Sequence, residues 1–139
     1  MSHTEWAHDR RRLLLPIKIF PPTPIATFDG VTATALVDTG STTSGISTAI
    51  AAALQLVRRG KRPLGSAGGE FQAERYLFRV GIEQVLSSSA TPAFPYIFDD
   101  VMGFELIGSG QFDALIGMDI LGLCDLHVSR EGRARLVFP

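Results

Sequence analysis

The stretch "ALVDTGSTTS" at residues 35–44 constrains this chain more than any other. Apolar residues run straight into Asp38, the pattern of a buried strand that delivers a carboxylate to its end. No basic residue follows within ten positions. A carboxylate there loses hydration unless hydrogen bonds or water reach it, so the position marks either strain or function. Gly40 lets the backbone turn tightly and aim N–H groups at the carboxylate oxygens, and the Thr39 hydroxyl can tie the loop to a neighbour. The plainer alternative is an Asx turn or helix cap that closes the strand.

The chain around this stretch has the means to bury it. Its 139 residues, 45% apolar and 19% charged, suit one compact domain with a real core. A net charge of −1 gives no field that would draw nucleic acid or an acidic membrane, so neither is expected as a partner. Cys124 is the single cysteine, and His3 and His8 lie far from His127 in sequence, so no metal-ligand spacing exists and no metal or cofactor is expected. The apolar run "LLLPIKIF" is interrupted by Pro16 and Lys18, unlike a signal peptide or spanning helix, which leads to an expectation of a soluble, cytoplasmic protein.

Patterning predicts mostly strands. Residues 1–12 are polar without period and read as a loose N-terminal tail, followed by a domain over 13–139. Extended segments are expected at 13–20, 24–28 and 32–37, with a turn at Asp29-Gly30, and Ser47 is placed to cap a helix over "TAIAAALQL". Two extended pieces then flank Gly65, Gly68 and Gly69, and Tyr76, Phe78, Val80 and Ile82 alternate onto one face of the second. A loop at 87–92, a strand "AFPYIFDD" ending in an acidic turn, and a short strand "FELIG" follow. The end of the chain repeats the opening theme: strand Ala114–Ile116, a turn at Gly117, a short helix near Met118–Leu123, and two short strands around Glu131-Gly132. Ala35-Leu36-Val37 and Ala114-Leu115-Ile116 echo each other, which suggests weak internal duplication. The basic run Arg58, Arg59, Lys61 and Arg62 reads as a solvated face, Asp99, Asp100 and Asp113 as loop charges, and Asp119 as structural.

Taken together, "LVDTGST", "LIGMDIL" and, more weakly, "LGSAGGEF" resemble the retropepsin-like aspartic proteases, from about Leu13 to Phe138. The resemblance implies an all-β fold with one or two short helices: a closed, barrel-like acid protease lobe that works as a homodimer, because one lobe carries one aspartate and the chemistry takes two. Under it Asp38 is the catalytic acid and base. Thr39 reaches across the dimer axis, and Gly40 meets the substrate backbone. A protein or peptide substrate would lie against Ser41 and Thr42, with Leu115 and Ile116 bordering the groove, beneath a flap tip at Ser66, Ala67, Gly68 and Gly69. The Ser41 hydroxyl is placed to donate to Asp38, and the C-terminal strand to pair with its copy in the dimer. Thr42 and Met118 stand where retroviral enzymes carry an interface aspartate and arginine, so the dimer must be held differently. The alternative on the same fold is a catalytically silent dimerisation or peptide-binding module.

Overall fold

The computed structural model describes residues 2–22, 30–66, 68–85, 95–108 and 110–139. In chain order it contains strands β1 (His3–Ala7), β2 (Leu14–Phe20), β3 (Val31–Val37) and β4 (Gly45–Ser47), then helix α1 (Thr48–Ala53). Strands β5 (Lys61–Ser66), β6 (Gly69–Ile82), β7 (Tyr96–Leu106) and β8 (Ala114–Ile116) lead to helix α2 (Met118–Leu121), and β9 (Asp125–Val128) and β10 (Arg133–Val137) end the chain. The extended piece expected at 24–28, Asp29 of the expected turn and the loop expected at 87–92 lie outside the described residues. Among the described residues no helix is long and apolar enough to cross a membrane.

Seven strands form one sheet in the order β2-β3-β8-β4-β7-β6-β5, and a further pairing of β2 with β6 closes it into a ring from which β5 hangs. Closure rests on Lys18↔Gly81, Ile19↔Val80 and Phe20↔Arg79. The alternation read from the sequence faces inward: Leu15, Ile17 and Ile19 of β2 and Tyr76, Phe78, Val80 and Ile82 of β6 are all buried. Each large side chain of this kind stabilises the fold by about 1.5–3 kcal/mol. Ser47 caps α1 by accepting the Ile50 N–H at 3.2 Å, and that helix seals the core with Ile50 and Ala51.

The internal echo is a physical neighbourhood. β3 and β8 lie side by side and parallel, with Ala35↔Ala114, Leu36↔Leu115 and Val37↔Ile116 in register. Asp38 and Gly117 therefore emerge together from the same end of the sheet. The hairpin of β5 and β6 runs from Lys61↔Glu74 to Ser66↔Gly69 and stands away from the ring. Pro63 fits β5 because an outer strand needs no N–H on its free side, and Gly69 takes the tip with φ of +115°.

Four expectations are corrected. The acidic turn at Asp99-Asp100 is a β-bulge inside a continuous β7: Phe78↔Val101 and Val80↔Phe98 put an extra residue on β7, and Asp100 absorbs it at φ +53°. The stretch read as a loose tail contains β1, antiparallel to β10 from His3↔Val137 to Ala7↔Arg133, with Thr4 and Trp6 buried. Consequently β10 is not an edge open to a second copy; β1 covers one side and β9 the other. Asp113 is no free loop charge either. Its Oδ1 accepts the Thr34 N–H at 2.6 Å, while its own N–H donates to the Thr34 carbonyl and its carbonyl accepts from Ser47, so it brackets the start of β4 against β3.

Candidate active site

Asp38 is the first residue past β3, half-buried at the mouth of the sheet. Its N–H donates to the Ile116 carbonyl at 2.9 Å, so β8 fixes where the aspartate begins. Its Oδ1 accepts the Gly40 N–H at 2.8 Å, and its carbonyl accepts the Ser41 N–H at 3.2 Å. The short turn thus supplies one backbone donor to the carboxylate, which lowers the cost of its burial, while the Ser41 N–H closes the turn on the main chain. No cation lies within ion-pair distance of Asp38 among the described residues.

The loop beyond Asp38 is strapped to the start of α2. Met118 N–H donates to the Ser41 carbonyl at 2.7 Å and Asp119 N–H to the Thr42 carbonyl at 3.2 Å. Ser44, fully buried, gives its hydroxyl to Asp119 Oδ1 at 2.7 Å and its N–H to Oδ2 at 3.0 Å, while its Oγ accepts the Gly117 N–H at 3.0 Å. A Cβ on Gly117 would come within 2.8 Å of the Thr43 backbone and 2.9 Å of the Ser41 carbonyl. Glycine is required there because the two loops touch. The structural reading of Asp119 thereby acquires its cause.

The residues singled out from sequence divide sharply. Thr39, Gly40 and Thr42 are exposed beside Asp38. The Ser41 hydroxyl donates to the Thr43 carbonyl at 2.7 Å rather than to Asp38, which corrects the role expected of it. Ile116, expected to border a groove, is fully buried, and Leu115 nearly so; Ile116 serves the site through its carbonyl. Gly68 and Gly69 sit exposed at the tip of the β5–β6 hairpin, Ser66 ends β5, and Ala67 lies outside the described residues.

Sequence reasoning missed the other wall. A cleft of about 380 Å³ at Asp38 is lined by Leu36, Val37, Leu13 and Val128 and also by His8, Arg10, Arg11 and Arg12. These basic residues form a fixed corner. Asp9 Oδ1 accepts the N–H groups of Arg11 and Arg12, both at 2.8 Å, and these bonds, Arg12 first, hold the Asp9 carboxyl below its usual range. His8 donates its N–H to the Gly132 carbonyl at 2.9 Å, and its Nδ1 accepts the Arg10 N–H at 3.0 Å. Nε2 is then left to donate to the Ser129 carbonyl at 2.8 Å. Arg10 holds φ +67°, a left-handed conformation that costs a residue with a side chain about 1–2 kcal/mol. Only the triple arginine was visible in the sequence, and its register against β9 and β10 was not.

The single cysteine does not compete with the carboxylate. Burial pushes the Cys124 thiol up to about 11, and it does not line the cleft. A half-buried carboxylate that accepts a backbone N–H and opens onto a cleft suits activation of water.

The family model described as aspartyl protease matches residues 25–120. The crystal structure of a retropepsin-like aspartic protease from Rickettsia conorii aligns with a TM-score of 0.60 at 16% identity, covering 98% of this chain and 90% of that one. The search of curated proteins returned no match.

Proposed function

The chain belongs to the aspartyl protease family and has a retropepsin-like fold, and from that premise we propose that it is a homodimeric endopeptidase with Asp38 as its acid and base. The carrying observation is the placement of Asp38: half-buried at the end of a central strand, bonded to the Gly40 N–H, without an ion-pair partner among the described residues, and opening onto a cleft. One carboxylate cannot act as acid and base together, so the proposed site draws a second Asp38 from an identical chain across a two-fold axis. Carboxylates about 3 Å apart cannot both ionise cheaply, and they share a proton and titrate as a pair. The ionised member takes a proton from a water as that water attacks the peptide carbonyl; the protonated member donates to the carbonyl oxygen. Collapse of the tetrahedral intermediate with protonation of the leaving nitrogen returns the pair to its starting state.

In this proposal Thr39 and Gly40 complete the loop at the axis, and Ser41 and Thr42 lie beside the substrate. The β5–β6 hairpin adds strand-like hydrogen bonds from above through its glycine tip. The test is hydrolysis of casein by wild type and by Asp38→Asn, each shown folded by circular dichroism. Cleavage by wild type that falls at least a thousandfold in the variant, on the order of the effect of losing a general acid–base group, supports the proposal. Either equal cleavage by both or none by either removes it; the second outcome leaves a silent peptide-binding module.

A further inference from the structure

We infer that the cleft beside Asp38 selects extended peptides carrying an aspartate or glutamate next to the position where Asp38 acts. This deepens the function proposed above and rests on it for the direction in which the peptide lies. The chain carries no basic excess, with 13 lysines and arginines against 14 acidic residues, yet three consecutive arginines gather on one wall of this cleft. Their guanidinium groups have no ion-pair partner among the described residues. Asp9, the nearest acidic side chain in sequence, turns its Oδ1 to the Arg11 and Arg12 backbone instead. Apart from Asp38, no other acidic residue lines the cleft.

The corner is rigid as well as basic. His8 ties it to the turn between β9 and β10 through Ser129 and Gly132, and the left-handed Arg10 keeps its side chain where glycine would be less strained. Backbone strain of this kind clusters at active sites and ligand clamps. Leu13, Leu36 and Val128 add apolar wall at the same place. Such a pocket fits the methylenes of a glutamate or aspartate while its carboxylate meets a guanidinium fork. In a two-fold assembly the corner occurs twice, so acidic residues on either side of the reacting bond are accommodated.

The test uses folded Asp38→Asn protein as a non-cleaving trap and two fluorescein-labelled pools of random decapeptides, one with glutamate fixed at the central position and one with glutamine. Fluorescence anisotropy at low salt is expected to show the glutamate pool bound about fivefold or more tightly, a margin that shrinks as salt rises. Changing Arg10, Arg11 and Arg12 together to glutamine removes the margin, whereas changing all three to lysine retains most of it and controls for folding. Equal binding of the two pools, or a margin that survives the glutamine changes, overturns the inference. Casein cleavage is scored separately. Asp38-dependent cleavage without charge discrimination sinks this inference alone, and discrimination without cleavage sinks the catalytic proposal alone.

Discussion

Asp119 shows how a residue far away in sequence can hold the loop that carries Asp38. Its two oxygens hold the Ser44 hydroxyl and N–H, and its N–H holds the Thr42 carbonyl, so one side chain closes the loop that carries Asp38. Asp119→Ala leaves two donors of a buried serine unsatisfied, and a loss of about 1–3 kcal/mol is expected in urea unfolding, with Asp119→Asn milder. Tyr76 gives a pH-dependent counterpart. Burial first, and then its 2.9 Å bond to Glu105, raise the Tyr76 phenol above its ordinary value of 10.0. A raised acid binds its proton more tightly in the folded chain, so its contribution is full below about pH 10 and is lost as pH climbs through the folded value. Unfolding free energy measured from pH 8 upward is expected to fall beyond about 10 in wild type, and less steeply in Tyr76→Phe.

At the scale of elements, β1 decides whether the first residues belong to the fold. Trp6 is buried against the core and its strand occupies the outer edge of β10. Trp6→Ala is expected to cost about 3 kcal/mol in urea unfolding; a loose arm would lose less than about 0.5 kcal/mol. The sequence conceals β1 because only Thr4 and Trp6 face inward, among polar neighbours, and five residues are too few to show a period. By contrast β2, β3 and β6 were readable, since alternating or continuous apolar runs state which face is buried. The bulge in β7 was mistaken for a turn because Asp-Asp is common to both; only pairing with β6 separates them. Likewise Asp38 was legible from its setting in sequence, whereas the arginine wall beside it depends on contacts across more than a hundred residues, such as His8 with Ser129.

On the scale of the molecule, the closed ring leaves its outer strands in two places: β5 of the hairpin, and β1 and β9 flanking β10. With β10 covered on both sides, an assembly that brings two Asp38 loops together is expected to use those outer strands or the loops themselves, and the basic corner then lies close to the axis from each side. The proposal's central claim is that each working site takes one Asp38 from each of two chains, and subunit mixing tests it most directly. Wild type is co-refolded with increasing proportions of Asp38→Asn at constant total protein, and casein hydrolysis is followed per wild-type chain. The proposal predicts that this specific activity falls in proportion to the wild-type fraction, because mixed pairs are inactive. Specific activity that stays constant as Asp38→Asn is added would contradict it.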